Sequence, residues 1–439
     1  MRIIVWGLGY VGTVSAACLA QLGHEVIGVE PNLTKVDALN AGRSSIKEPG
    51  LDTLISPTVK TGRLRARREG LSLIPWAEVS LICVGTPAAA DGSPLLGYVR
   101  SVMVEIGRGL RETTNHHVVV LRSTVFPGTS RNILIPLLEE KSKRKAGNDF
   151  GVVVNPEFMR ESNAISDFHT PPYTIIGELD NRSGDLVERL YRDINAPVHH
   201  VSLEEAECLK LANNAFHATK ISFANEIGRV CDRLRVDSHA VMQLVCADTK
   251  LNISSAYLKP GFAFGGSCLP KDLRSLTFNA RRLGLELPVL EAVLQSNRLQ
   301  IEAARLKIHE LGASRVAVLG LSFKPGTDDL RESPVIGLIQ NLWQDGVDVV
   351  VHDPDVQPDK MLGSNREYLE RHLPQINQIL RLDMADALNG CDAVVVAQKR
   401  SEFTAALRAL NGRAAVLDLV RVSEDPCPLG LTKYRGISW

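Results

Sequence analysis

The first thirty residues constrain the fold more than any other stretch. "RIIVW" is a short β-branched run, "GLGYVG" puts glycines at 7, 9 and 12, residues 13–22 have helical character, and "HEVIGVE" is a second apolar run ending on Glu30. A strand that turns sharply into a helix needs one glycine for the turn, a second where backbone lies close against a ligand, and a third where helix packs on strand. Gly7, Gly9 and Gly12 have that spacing, and the helix start then offers free N–H groups to a pyrophosphate. Glu30 adds a carboxylate suited to a ribose diol and repellent to a 2′-phosphate, which favours NAD over NADP. The run from Ile3 to Ala20 carries no charge and has the look of a signal peptide, but its three glycines argue for the strand and turn.

Further strand-like runs follow at "VSLICVGTP" (79–87), "HVVVLRST" (117–124) and "GVVVNPE" (151–157), separated by helical segments. This is the pattern of a parallel sheet covered on both faces, whose ligands gather beyond the carboxyl ends of the strands. Gly85, Thr86, Ser123, Thr124, Asn155 and Glu157 are therefore site candidates by position. From Ser202 the pattern changes to more than thirty residues without proline, acidic at the start and with Arg229 and Arg233 at the end, which reads as one long helix. Helical character continues to about Leu311, broken by "KPGFAFGGSCLPKD". The last third then echoes the first: "RVAVLGLSFKP", "GVDVVVHDP", "CDAVVVAQ" and "AAVLDLV" match the earlier strands in type. Its turn keeps Gly320 and lacks the other two glycines, so it is not expected to hold a pyrophosphate in the same way. The fold class is thus α/β, with two Rossmann-like doubly wound domains joined by a long central helical segment, divided at 1–202, 203–311 and 312–439. A length of 439 residues accommodates three such parts at roughly 150 residues each.

Fifty basic and fifty acidic side chains leave no whole-chain field to draw in nucleic acid or a membrane surface, so a charged ligand must be held by a local site. The clusters Arg63, Arg65, Arg67, Arg68 and Lys141, Lys143, Arg144, Lys145 read as solvated loops. Eight cysteines without a CxxC spacing argue against a disulfide framework and against a metal cluster, and fit a reducing, cytoplasmic setting. No apolar run reaches the length of a membrane span. The pairs His116/His117 and His199/His200 lack ligand spacing and read as surface or capping residues.

Cys268 is the second informative position. Gly265 and Gly266 let backbone approach a ligand, and Pro270 suits the first turn of a following helix. A thiol just ahead of a helix start and near Lys271 has its thiolate stabilised. A nicotinamide cofactor together with a nucleophilic thiol implies an aldehyde held as a thiohemiacetal, oxidised to a thioester and hydrolysed. Lys210 and Asn214, one helical turn apart, can face a developing oxyanion, although an ordinary surface lysine fits the spacing equally. Glu157 and Glu161 sit where a carboxylate can activate water, or where two acids simply solvate a helix start. Asp272 is either an acid favoured by the helix dipole or a group orienting water or Lys210.

Together "WGLGYVG", "CVGTP", "STVFPGT", "NPEFMRES", "KLANNAFHATKISFANEIG", "GFAFGGSCLPKD" and "GLSFKPGTDDLRESP" resemble the nucleotide-sugar 6-dehydrogenase family, in order from residue 1 to the final "GISW". Within it, "KLNISSAYLKPGFAFGGSCLPKDLRSL" is most similar to the branch that makes GDP-mannuronate for alginate-type polysaccharides, with UDP-glucose or a UDP-N-acetylhexosamine as the alternative substrate. The resemblance implies two successive oxidations at C6 using two NAD and one water. It makes Cys268 the nucleophile, puts Lys210 and Asn214 at the oxyanion, Glu157 and Thr124 at the proton or water, and Asp272 in support. It assigns Gly7, Gly9, Tyr10, Val11, Gly12, Glu30, Lys35, Thr86, Thr124, Glu161, Lys271 and Arg331 to the cofactor. It assigns Glu161, Lys210, Asn214, Tyr257, Lys259, Phe262, Gly265, Phe323 and Lys324 to the sugar nucleotide, with Arg331 reaching the same ligand. It also implies a homodimer or higher oligomer through the central helices. Two positions depart from the family pattern: Glu30 replaces aspartate, keeping the carboxylate on a longer stem, and Lys259 replaces arginine, reducing a bidentate phosphate contact to a point charge.

Overall fold

The computed structural model describes residues 1–87, 95–160, 162–254, 260–266, 269–322, 324–327, 329–361, 363–410, 412–423 and 433–438, with backbone alone for 221, 271, 272, 275, 360 and 363–365. The chain divides into two compact units, Met1–Ala218 and Thr219–Trp439.

The first unit is built on an eight-stranded sheet: β1 Arg2–Trp6, β2 Glu25–Val29, β3 Leu64–Arg67, β4 Val79–Ile82, β5 Val118–Leu121, β6 Gly151–Val154, β7 Thr174–Glu178 and β8 Val198–Val201. Their order is β3-β2-β1-β4-β5-β6-β7-β8. The inner strands are mostly apolar because both faces are covered, with Ser80 of β4 a buried exception. Alternate residues supply two cores: Ile3, Val5, Leu81, Val118, Val120 and Val153 on one side, Ile4, Trp6, Ile82, Val119, Leu121 and Val154 on the other. Chain order reverses between β1 and β4, so a crevice opens at their carboxyl ends.

The sheet is not wholly parallel. β7 pairs antiparallel with β6, through Val153 with Glu178 and Val154 with Gly177. Among the described residues, the connection after β6 holds a loop and the short helix Ala164–His169. It does not cross the sheet face, and β7 sets off from the end at which β6 stopped. A second departure is His117, expected at the surface and found fully buried. Its Nδ1–H donates to the Ala77 carbonyl (3.0 Å) and its Nε2 accepts from the Ser80 hydroxyl (2.9 Å).

The second unit carries the end of the long helix Leu203–Arg233, the helices Ser238–Ala247, Leu269–Arg282 and Pro288–Glu310, and a five-stranded sheet. Those strands are β9 Arg315–Leu319, β10 Asp348–His352, β11 Ala393–Val396, β12 Ala415–Asp418 and β13 Tyr434–Gly436, all parallel, in the order β10-β9-β11-β12-β13. Glu226, nearly buried, accepts from the N–H groups of Val289 and Leu290 (2.9 and 3.1 Å), so a carboxylate caps the exposed donors at the start of Pro288–Glu310.

Burial and packing each carry a measurable consequence. Burial pushes the His117 imidazole down from 6.5 to about 4, partly opposed by its bond to Ala77. Between those values the unfolded chain binds a proton that the folded chain refuses. Stability is therefore complete above pH 6.5 and falls as pH drops toward 4, by about 3 kcal/mol at most. Urea midpoints of the first unit at pH 7 and pH 5 measure this, and His117→Gln is expected to flatten the dependence. A Cβ on Gly12 would lie 1.8 Å from the Gly7 carbonyl oxygen, whereas one on Gly9 meets nothing within 4 Å. Gly12→Ala is expected to cost about 1–3 kcal/mol in the same assay, and Gly9→Ala less than about 1 kcal/mol.

Candidate active site

The turn after β1 has the geometry of an anion cradle. Gly7 has φ +90°, a conformation open to glycine, and its N–H donates to the Val29 carbonyl (2.8 Å), tying the turn to β2. The helix Tyr10–Gln21 begins directly after Gly9 with no side chain capping it and no acid in its first turn. Free N–H groups and the positive end of a helix dipole thus meet an approach left open by the missing Gly9 Cβ. Val11 lies in that first turn and is half-buried.

Glu30 follows β2 and is buried. Its Oε2 accepts from the Leu8 N–H (3.0 Å) and faces Lys35 Nζ at 3.5 Å, while Oε1 accepts from the Asn32 N–H (3.2 Å). Asn32 in turn caps the helix Leu33–Asn40, which carries Lys35. A carboxylate held at the end of β2 beside a glycine turn fits the ribose of a dinucleotide, and the residues present therefore fit NAD. Across the crevice, the Thr86 hydroxyl donates to the Thr124 carbonyl (2.7 Å), joining the loops that follow β4 and β5.

The loop after β6 meets the long helix Leu203–Arg233. Lys210 Nζ donates to Glu157 Oε1 (2.9 Å) and to the Glu157 carbonyl, and lies 5.4 Å from the centre of the Phe158 ring. Both side chains of the pair are only 12% exposed, so the ordinary-surface reading of Lys210 is excluded. Glu157 Oε2 also accepts from the Met159 N–H (2.7 Å), which fixes the carboxylate's direction. Glu207, on the same face of the helix, accepts from the N–H groups of Gly128 (2.6 Å) and Ser130 (2.8 Å). Asn214 is exposed, one turn beyond Lys210.

Beneath Glu157 lies a group of which sequence reasoning finds only Asn155. Arg122 Nη1 donates to Asn155 Oδ1 (2.7 Å) and to the Tyr191 hydroxyl (3.1 Å), and Tyr191 donates to Asn155 Oδ1 (2.6 Å). Asn155, buried, donates to the Ile175 carbonyl of β7 (2.8 Å). Asn155 is thus a structural tie between β6 and β7 rather than a group aimed at a ligand. Glu48, also missed from sequence, joins Tyr10 to the loop following Arg160. Its signal there is faint: one acid before a proline and glycine.

In the second unit, a Cβ on Gly265 would lie 2.3 Å from the Glu332 carbonyl oxygen, so this glycine is needed for close approach of two loops. Phe262 packs against the core of that unit, and Asn297 bonds both the N–H and carbonyl of Phe264 (2.9 and 2.8 Å). Lys324 is exposed. The Arg331 guanidinium is paired with Asp329 (2.9 and 2.8 Å), and that bond holds the Asp329 carboxyl below its ordinary value. Glu161, Tyr257, Lys259, Cys268 and Phe323 lie outside the described residues. Lys271 and Asp272 fall in the first turn of Leu269–Arg282, and their side chains are outside the described ones.

Three adjoining profiles of one family match the chain: its NAD-binding domain over residues 1–195, its central domain over 204–299 and its UDP-binding domain over 317–425. The chain is 46% identical to the GDP-mannose 6-dehydrogenase of Pseudomonas putida over 440 residues, covering all of both chains. A crystal structure of a ternary complex of GDP-mannose dehydrogenase from Pseudomonas aeruginosa superposes with a TM-score of 0.95, at 44% identity and with both chains fully covered. The UDP-glucose 6-dehydrogenase of Haloferax volcanii is 37% identical, over 92% of this chain and 93% of that one. Given the glycine turn with its Glu30 carboxylate and three matched domains in sequence, the chain belongs to the UDP-glucose/GDP-mannose dehydrogenase family, with an NAD-binding domain at its N-terminus.

Proposed function

We propose that this chain oxidises C6 of GDP-mannose to a carboxylate, giving GDP-mannuronate, a precursor of alginate-type polysaccharides. NAD, when bound, supplies the hydride acceptor for both oxidations. Lys210 and Asn214 hold the C6 oxygen, and Glu157, with Thr124, takes the proton from it. The Cys268 thiolate adds to the C6 aldehyde, forming a C–S bond. After the second oxidation the thioester is attacked by a water that Glu157 deprotonates, the C–S bond breaks, and the thiol returns. Asp272 supports Lys210 and the water. These roles rest on the resemblance, and the Lys210–Glu157 pair supports them. An ammonium held in a dry site stabilises a developing alkoxide far more than one in water.

Glu30 and Lys35 take the adenosine side of the cofactor, Gly7, Gly9, Tyr10, Val11 and Gly12 the pyrophosphate turn, and Thr86, Thr124, Glu161, Lys271 and Arg331 the remainder. Tyr257, Lys259, Phe262, Gly265, Phe323 and Lys324, with Glu161, take the sugar nucleotide. The observation that carries the choice of substrate is full-length identity of 46% to a protein named for GDP-mannose, against 37% to one named for UDP-glucose. A UDP-sugar substrate is the second reading, favoured by the UDP-binding description of the third matched domain.

On the same reading the chain divides at 1–202, 203–311 and 312–439 and works as a cytoplasmic homodimer or higher oligomer built through the middle part. The apolar helix Ser238–Ala247 has no buried residue, and Leu244 on it is 75% exposed. Leu234, Val236 and Ile253 beside it are also exposed, a surface that self-association would cover. Among the described residues no helix is long and apolar enough to cross a membrane.

With GDP-mannose, two NADH per sugar are expected, and Cys268→Ser is expected to abolish turnover. Lys210→Met is expected to lower kcat by about 10²–10⁴ while NADH still binds. Side-by-side assays with GDP-mannose, UDP-glucose and UDP-N-acetylmannosamine test the substrate. A yield of one NADH, or a higher kcat/KM for either UDP-sugar, overturns the corresponding part.

A further inference from the structure

We propose that Glu48 is a positioning residue that couples the cofactor turn to the loop bearing Glu157, so that filling the turn with dinucleotide orders the loop. The inference rests on the reading of that loop as part of the active site.

Glu48 precedes the helix Leu51–Lys60 and is only 8% exposed. Donors from two distant segments converge on its carboxylate. Oε2 accepts from the Tyr10 hydroxyl and from the Ser162 N–H (2.8 Å), and Oε1 accepts from the Ala164 N–H (2.9 Å). The Tyr10 oxygen is itself 3.1 Å from the Ser162 nitrogen, so tyrosine, carboxylate and loop amide form one closed group. Tyr10 is the first residue of the helix that opens at the glycine turn, and Ser162 closes the loop running from Asn155 past Glu157.

Ser162 has φ +68°, a left-handed conformation that a residue with a Cβ adopts only at a cost. Ala164 is fully buried, and its N–H would lack a partner without Glu48. The loop end is thus held in a strained form by an acceptor outside the loop, and that acceptor is shared with the cofactor turn. Glutamine cannot replace it, because one of its two terminal atoms would turn an N–H toward incoming donors. Tyr10→Phe removes the hydroxyl's bond to Glu48 and its contact with the Ser162 nitrogen, while the Ser162 and Ala164 N–H bonds to the carboxylate and the glycines stay in place.

Hydrogen exchange of the full chain, with and without NADH and with no sugar present, tests the coupling. In the wild type, NADH is expected to slow exchange at the amides of Ser162 and Ala164 by at least about fivefold, the low end of typical coupling between sites. In Tyr10→Phe, compared at NADH concentrations that saturate each protein, the glycine turn is expected to be protected still, while the effect at Ser162 and Ala164 falls below about twofold. Glu48→Gln is expected to raise exchange at both amides even without NADH. Full NADH-dependent protection at Ser162 and Ala164 in Tyr10→Phe, or its absence from the wild type, overturns the proposal. Because no turnover is involved, a failed role for Glu157 shows separately, as undiminished activity in Glu157→Gln.

Discussion

The buried ion pair between Lys210 and Glu157 is the interaction on which the site depends. With each side chain almost wholly removed from water, either charge alone would cost several kcal/mol, so each is tolerable only because the other is present. The pair forms only if the long helix is seated at the right height against the strand ends. Glu207, three residues before Lys210, sets that height by accepting from the backbone of Gly128 and Ser130. Its carboxylate satisfies donors that would otherwise be buried without partners, since Ser130 is itself fully buried. One face of one helix therefore indexes both the loop after β5, which carries Thr124, and the loop after β6, which carries Glu157. Thr86 is drawn into the same arrangement through its bond to the Thr124 carbonyl.

The two doubly wound sheets solve the same turn alike and then diverge. In the first, the Gly7 N–H reaches Val29 and the Leu8 N–H reaches Glu30; in the second, the Gly320 N–H reaches His352 and the Leu321 N–H reaches Asp353. Gly320 has φ +97°, close to the +90° of Gly7. Past the turn the two chains part. The first enters its helix at once, at Tyr10, whereas the second runs through a loop and its helix begins only at Pro334. Asp353 is also saturated from within: its Oδ2 accepts from Leu321, Ser322 and Gln398. Among the described residues, a helix start directly after the turn is found in the first unit, while the loop of the second carries Lys324 and Arg331.

Features set by local chemistry were legible in the sequence. The glycine spacing, the alternating strands, the length of the central helix and the carboxylate after β2 all depend on a few neighbouring residues. Features that depend on which distant segments meet were not. Nothing local marks β7 as antiparallel, because its direction depends on where the connection from β6 travels. His117 reads as polar in a short histidine pair, yet partners forty and thirty-seven residues away make it a neutral core group. Glu48, Tyr191 and Glu207 look like ordinary acids and an ordinary tyrosine until the fold delivers backbone amides and a guanidinium to them. Lys210 stood between these classes: its spacing suggested a face, and only burial distinguishes that face from a solvated one.

Arg122 shows how burial decides the chemistry available at the strand ends. Arg122 is 7% exposed, its guanidinium cannot give up its proton, and its hydrogen-bond acceptors are the neutral Asn155 and Tyr191. Its Nε has no partner among the described residues, and the face of Phe168, 6.0 Å away, and the cavity it shares with Glu157 complete its surroundings. Since Lys210 and Glu157 offset one another, Arg122 leaves positive charge under the carboxyl ends of β5 and β6. That charge favours ionisation of any thiol nearby, and Cys83 sits directly after β4. Its thiol stays protonated all the same: desolvation outweighs the attraction of Arg122 and pushes Cys83 up to about 12, as it does Cys18. A cation alone does not make a nucleophile where the sulfur is sealed from water. A thiolate at neutral pH needs access to solvent together with a stabilising neighbour, and the buried sulfurs of Cys83 and Cys18 lack the first.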